Sequence, residues 1–365
     1  MRRLRRRSAC ADGVVRSLSR SVLERCRAPI LEVSAVSFPL SLLDLADVGE
    51  GETVAQALQA SVTLARAAEG LGYRRIWYAE HHNVATIASA ATSVLIAHVA
   101  AHTETITLGA GGVMLPNHSP LVVAEQFGTL AELHPGRIEL GLGRAPGSDQ
   151  ATFRALRRDL AAADRFPDDV LELQAYLGDT SRIPGVEATP GKGTHVPLYV
   201  LGSSLFGAQL AAALGLPYAF ASHFAPAALE QAVAVYRREF RPSAQLDRPH
   251  VLAAVNVVAA DEHDDAQAQL QQAKRRRVQL LFGRGQQLSS ADVDAVLASP
   301  AGQQVEQMVR YTAVGTADEV RAYLERFRTH ADADELILAA AGIGRDARLR
   351  SFELVADAFA LPRAA

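Results

Sequence analysis

The sequence predicts a (β/α)8 TIM barrel with an inserted segment before the last strand. Eight short apolar runs alternate with helical patterns over about 330 residues. The runs are apolar along their whole length, as parallel strands covered on both faces require. The main rival is an open doubly wound sheet. No GxGxxG fingerprint follows the first strand and no P-loop sequence occurs, which counts against it.

The elements follow in order. "LEVSAVSFPLSLLDL" from Leu31 reads as the first strand and its exit loop. Val54, Leu58, Ala65, Ala68 and Leu71 then recur at helical spacing, with Gly72 placed to cap the helix. "RRIWYA" is the second strand, and "ASAATSVLIAHVAAH" is a small-residue helix, apolar on nearly every side and so expected to be buried. "ITLGAGGVML" is the third strand, followed by a helix through Val122–Leu133 that Pro135 and Gly136 end. "RIELGLG" is the fourth strand, with a helix over Asp149–Leu177 and a Gly- and Pro-rich loop after it. "LYVLG", "YAFAS" and "HVLAAVNVVAA" are strands five to seven, separated by helices over Leu205–Leu214 and Pro226–Phe240. A long helix then enters the basic run Lys274–Arg277, and residues Gly283–Gln304 break the pattern as an insertion. "TADEVRAYLERFRTH" is a helix, "ELILAA" the eighth strand, and "DARLRSFELVADAFA" the last helix.

Residues 31–365 read as one domain behind a basic arm. The net charge of −3 conceals an asymmetry, because residues 1–30 hold nine Arg against Asp12 and Glu24. The arm reads as a disordered extension, with an organelle transit peptide or a nucleic-acid tail as alternatives. The remaining body is acidic, which argues against nucleic acid or an anionic membrane as partner. Both cysteines, Cys10 and Cys26, lie in the arm, so the body has no disulfide framework and no thiolate metal site. No apolar stretch is long enough to span a bilayer, and the cytoplasm is the expected compartment.

In such barrels chemistry gathers at the C-terminal strand ends. Ser203 and Ser204 stand between the fifth strand and a helix N-terminus, a natural anion seat, although a plain serine cap reads the same way. Gly202 and Gly207 let a ligand approach the backbone. Arg144, at the end of the neighbouring fourth strand, can reach the same anion with its planar fork. The glycines of "GAGGVMLP" suit either a flat ring or a tight barrel corner, and Met114 and Leu115 would offer apolar contact to an aromatic ligand. His118 lies further into that loop and is expected in solvent or at a helix start.

"WYAEHHN", Trp77–Asn83, ends the second strand. Strand alternation turns His81 and His82 to opposite sides, so they cannot hold one metal jointly. Asp44 and His223 at other strand ends are too sparse to complete a ligand set, and no metal is expected. A single cleft histidine acting as acid or base competes with two rim histidines that only make hydrogen bonds.

These stretches, with "ITLGAGGVMLPNHSPLVVAEQFGTLAELHPGRIELGLGRAPGS" and "LGSSLFGAQLAAALG", resemble the bacterial luciferase-like flavin monooxygenases. The likeness covers roughly Val36–Ala360 and is densest over Tyr73–Ser148. It implies reduced FMN bound at the strand C-termini, supplied by a separate reductase as a transient partner, and oxidation of a small molecule with O2 through a C4a-peroxyflavin. It places the family's glutamate–histidine pair on Glu80 and His81, with His81 handling protons and Glu80 orienting it. It makes Gly111, Gly112, Val113, Met114, Gly143, Arg144, Ala145, Gly202, Ser203 and Ser204 cofactor-binding, with Arg144 and the two serines on the phosphate. Where the light-emitting relatives have an acid beside the Ser after the fifth strand, this chain has Ser203. The family's non-prolyl cis peptide falls near Gly111–Gly112. Asp44 and His223 are assigned to the substrate side, Gly283–Gln304 to a lid, and the second and third helices to a homodimer seam. Alternatives are a deazaflavin-dependent dehydrogenase on the same barrel, a non-catalytic flavin-binding protein, or an unrelated phosphate-binding barrel. Lys192 and Lys274 are the only lysines and neither ends a strand, which counts against a Schiff-base aldolase.

Overall fold

The computed structural model describes residues 38–145, 150–158, 160–283, 286–340 and 342–363. The basic arm and residues 31–37 of the expected first strand lie outside them. The strands are β1 (Leu40–Asp44), β2 (Arg75–Tyr78), β3 (Thr107–Met114), β4 (Ile138–Gly143), β5 (Leu198–Gly202), β6 (Tyr218–Phe220), β7 (Val251–Ala259), β8 (Thr312–Gly315) and β9 (Glu335–Ala339). Eight of them close a parallel barrel: β1 to β7 in order, then β9, which pairs with both β7 and β1. Around it run α1 (Val54–Leu71), α2 (Thr92–Ala100), α3 (Pro120–Leu133), α4 (Gln150–Ala155), α5 (Phe166–Leu177), α6 (Leu205–Leu214), α7 (Leu229–Glu239), α8 (His263–Phe282), α9 (Ser290–Leu297), α10 (Pro300–Met308), α11 (Ala317–His330) and α12 (Arg345–Ala358).

Three details differ from the sequence expectation. β8 pairs with the far end of β7, Asn256 to Ala259, beyond the stretch that β6 occupies. It is a four-residue run, too short for its pattern to declare itself, and β7 is long enough to pair with β6, β9 and β8 along different stretches. The expected helix over Asp149–Leu177 divides into α4, a 3-10 turn at Leu160–Arg165, and α5. The insertion is helical: α9 and α10 pack on α8 through Val278, Val293 and Val305, a small core separate from the barrel's.

Local chemistry sets the element ends. Thr53 and Gln56 close a reciprocal capping box on α1. Gly72 ends α1 at φ 84, and its N–H reaches Ala68 and Glu69 carbonyls. Inside the barrel, Leu43, Trp77, Tyr199, Leu252 and Ile337 pack as one apolar cluster. Beneath them, at the N-terminal strand ends, Arg75 plugs the barrel. Its guanidinium donates to Glu139 (2.6 Å), Tyr199 Oη (2.7 Å) and Glu335 (3.1 Å).

The glycines of β3 serve packing first. A Cβ on Gly109 or Gly111 would fall 2.8 Å from Trp77, and one on Gly112 would fall 2.5 Å from the Gly141 carbonyl oxygen. The Gly111–Gly112 peptide is cis, and the β3–β4 register shifts there. Both the tight-corner reading and the expected cis position therefore hold.

Candidate active site

A cavity of about 460 Å³ opens at the C-terminal mouth of the barrel. It gathers side chains from most of the barrel strands. His81, Gly111, Gly112, Met114, Gly143, Arg144, Ala145, Gly202, Ser203, Ser204 and His223 all line it. Trp77 and Leu43 form its apolar floor.

One rim carries a cation and unengaged hydrogen-bond donors. The Arg144 guanidinium lies 4.0 Å over the Phe206 ring, which holds it in place from the first turn of α6. Ser204 caps that helix with its backbone alone; its hydroxyl makes no cap hydrogen bond. The Ser203 and Ser204 hydroxyls have no partner among the described residues, so both remain available beside the free first-turn amides of α6.

The deep side carries imidazoles. His81 Nδ1 and His223 Nδ1 are buried without hydrogen-bond partners. Burial pushes the His81 ring below its ordinary value, against the pull of Glu80. Burial, with Arg277 and His81 nearby, pushes His223 down to about 3. Both rings are therefore neutral near pH 7.

Glu80 does not orient His81 by a hydrogen bond. Its carboxylate accepts from His82 Nε2 (2.7 Å), His118 Nε2 (2.9 Å), Asn117 Nδ2 (3.2 Å) and the Met114 amide (2.9 Å). Burial alone would raise this group; the bonds from His118, Met114 and His82 hold it below the usual carboxylate range. Glu80 thus anchors the turn that leaves β3, and through it Gly112 and Met114. His118, expected in solvent or at a helix start, is one of its anchors and directly precedes Ser119, the N-cap of α3. Glu80, His82 and His118 also converge closely enough to resemble a metal ligand set. The four hydrogen bonds already satisfy the carboxylate, and their geometry accounts for the cluster.

Two other assignments are corrected. Asp44 does not reach the cavity: it is fully buried and accepts from Ser61 Oγ (2.5 Å), Arg348 Nη1 (2.9 Å) and the Ala46 amide (3.0 Å). Alternation along β1 turns Leu43 inward and Asp44 outward. Val113 likewise packs into the core between sheet and helices. The lid residues also differ. Within the insertion expected to cover the site, Gly283–Gln304, none of the described residues lines the cavity; Arg277, Leu280 and Leu281 at the end of α8, and Met308 at the end of α10, do.

The luciferase-like monooxygenase family model matches residues 38–335. The chain belongs to the luciferase-like monooxygenases. A luciferase-like monooxygenase of Escherichia coli (strain K12) is 49% identical over 320 residues, 87% of this chain and 96% of that one. The crystal structure of apo-MsnO8 superposes with a TM-score of 0.82 at 36% identity, covering 90% of this chain and 100% of that one. Two more distant structures share the fold alone. The oxygenating constituent of 3,6-diketocamphane monooxygenase from Pseudomonas putida, in complex with FMN, aligns with a TM-score of 0.67 at 16% identity, over 88% of this chain and 97% of that one. An F420-dependent secondary alcohol dehydrogenase aligns with a TM-score of 0.65 at 15% identity, over 88% of this chain and 99% of that one. No helix among the described residues is long and apolar enough to cross a membrane.

Proposed function

We propose that this member of the family binds reduced FMN in the barrel mouth and uses O2 to oxidise a small organic substrate there. The observation that carries the reading is the polarity of the cavity. Arg144 and two unengaged serine hydroxyls stand on one rim, an apolar floor of Leu43 and Trp77 lies between, and neutral imidazoles stand at the deep side. A phosphate on the rim, a flat ring over the floor and a reacting edge near His81 suit that order.

The residues fit the cofactor by their chemistry. Arg144, Ser203 and Ser204 would hold the phosphate, and the cis turn at Gly111–Gly112 with Met114 would support the ring. Reduced FMN supplies the electrons that activate O2. The apolar walls, among them Val84, Ile87, Phe206 and Leu201, keep water from the reacting atoms. His81 Nδ1, unpartnered and neutral, is free to accept a proton at neutral pH. Glu80 positions the β3 turn and holds its own negative charge close to His81.

A separate reductase would deliver the flavin as a transient partner. Val94 on α2, with Val122 and Leu133 on α3, are exposed apolar side chains that support a homodimer through these helices. The test mixes purified protein with FMN, a flavin reductase, NADH and O2. Saturable FMN binding and flavin-dependent O2 use that is coupled to an added organic substrate are expected. No binding at high micromolar FMN overturns the reading.

A further inference from the structure

Among the cavity-lining side chains, Arg277 has no assigned role. It comes from α8, outside the barrel, out of a basic run that otherwise faces elsewhere: Lys274 pairs with Glu306, Arg275 with Asp294, and Arg276 donates to the Gly342 carbonyl. Arg277 makes no hydrogen bond or ion pair among the described residues, and its Nη1 is buried without a partner. Asp47 acts on it electrostatically but is spent on Arg348, 3.6 Å away. The side chain is only partly buried, but its enclosed Nη1 lacks a hydrogen-bond acceptor, a cost that a ligand would remove.

Arg277 is also not alone. It stands close enough to His223 to perturb that ring, as does His81. Arg277, His223 and His81 all line the cavity, and each carries an enclosed nitrogen without a hydrogen-bond partner. This group is separate in chain and chemistry from the Arg144–Ser203–Ser204 rim. Next to it, Phe224, Leu280 and Leu281 are 43%, 50% and 41% exposed, and Met308 lines the same mouth. Exposed large apolar side chains beside a partly buried, unpaired cation suit an amphiphilic ligand.

We propose that Arg277, with His223 Nδ1, is the specificity subsite for a carboxylate on the substrate, whose apolar portion lies against Phe224, Leu280, Leu281 and Met308. The proposal rests on the reading of this cavity as a flavin and substrate site. One guanidinium balances one negative charge, and the neutral imidazole adds a hydrogen bond without adding a second charge. A monoanion matches this set; a phosphate dianion matches the other rim better. Arg277 is a selector of substrates and takes no part in proton transfer.

The chain has a single tryptophan, Trp77, on the cavity floor, so its fluorescence reports occupancy directly. Hexanoate and hexanamide are titrated into the full-length protein in low-salt buffer, and FMN and riboflavin are titrated separately. Wild type should bind hexanoate about tenfold or more tighter than hexanamide, as expected for a charge-assisted hydrogen bond. Arg277→Met should reduce that preference to within about twofold, and Arg277→Lys should retain part of it, because a point charge replaces the fork. FMN affinity should be unchanged in Arg277→Met and about tenfold weaker in Arg144→Met. Absence of the hexanoate preference in wild type, or its survival in Arg277→Met, overturns the proposal. Loss of FMN binding in Arg277→Met also overturns it, by moving Arg277 to the cofactor phosphate. If wild type binds hexanoate selectively but never FMN, the flavin reading fails and the carboxylate subsite stands.

Discussion

Replacing Arg75 with Met tests how the barrel is held below the site. Arg75 is 1% exposed, and Glu335 beside it is fully buried. The guanidinium bonds Glu139, Glu335 and Tyr199, and its Nε lies 2.9 Å from Glu335. Those carboxylates hold Arg75 above its ordinary value, although burial opposes this. Methionine keeps the packing against Trp77 and Tyr199 but leaves Glu139 without its cation and Glu335 with only the more distant His250 (3.5 Å) and Arg74 (3.9 Å). Removing one partner of such a group costs about 3–5 kcal/mol. For a barrel of about 330 residues, an unfolding entropy of about 2.1 cal/mol/K per residue converts that to a Tm loss of about 4–7 °C. Calorimetry on wild type and Arg75→Met reads it. Adding Glu139→Gln and Glu335→Gln to Arg75→Met should recover part of the loss, because the stranded charges are then gone. FMN affinity should not change, since the plug lies at the far end of the strands. An unchanged or higher Tm in Arg75→Met would refute the reasoning.

Other consequences are as direct. His81→Ala should bind FMN nearly as wild type does but oxygenate substrate about a hundredfold more slowly, the usual worth of a positioned base; full turnover would remove His81 from the mechanism. Because burial lowers the His81 pKa, the wild-type rate should fall only below pH 6.5, as the ring takes up its proton. His223 gives a stability slope. Its folded pKa of about 3 lies below the unfolded 6.5, so between those values only the unfolded chain binds the proton, and stability falls as pH drops. By about pH 5 the loss is about 2 kcal/mol, less where cavity water screens the ring; urea melts of His223→Gln across that range should lack this slope. Gly72→Ala would put a Cβ 2.2 Å from the Pro362 carbonyl oxygen at a φ of 84, and should lower stability by about 1–3 kcal/mol in the same melts.

The strand ends were the most legible part of the chain. Once the alternation named a barrel, the residues after β2, β4, β5 and β6 had to converge. His81, Arg144, Ser203, Ser204 and His223 do so. Errors came where one residue decides a face: Asp44 and Val113 sit one position from Leu43 and Met114, and the pleat turns them outward. Glu80 looked like a partner for His81 because the two are adjacent. Its bonds instead run to His82 and, 38 and 37 residues away, to His118 and Asn117, and the last two contacts exist only because of the β3 exit turn. A carboxylate in an otherwise apolar strand end was itself a sign that several donors had to gather around it. Arg277, Leu280, Leu281 and Met308 were missed because they belong to helices. Helical spacing shows which residues share a face, not which barrel mouth that face overhangs.

The central claim is that this mouth holds reduced FMN by its phosphate on the Arg144 rim. Anaerobic titration of the protein with dithionite-reduced FMN, riboflavin and a deazaflavin, read by Trp77 quenching, tests it most directly. Saturation by reduced FMN at one per chain is predicted, with riboflavin and the deazaflavin bound at least about tenfold more weakly and the FMN advantage over riboflavin lost in Arg144→Met. Preferential binding of the deazaflavin, or equal binding of FMN and riboflavin by wild type, would contradict it.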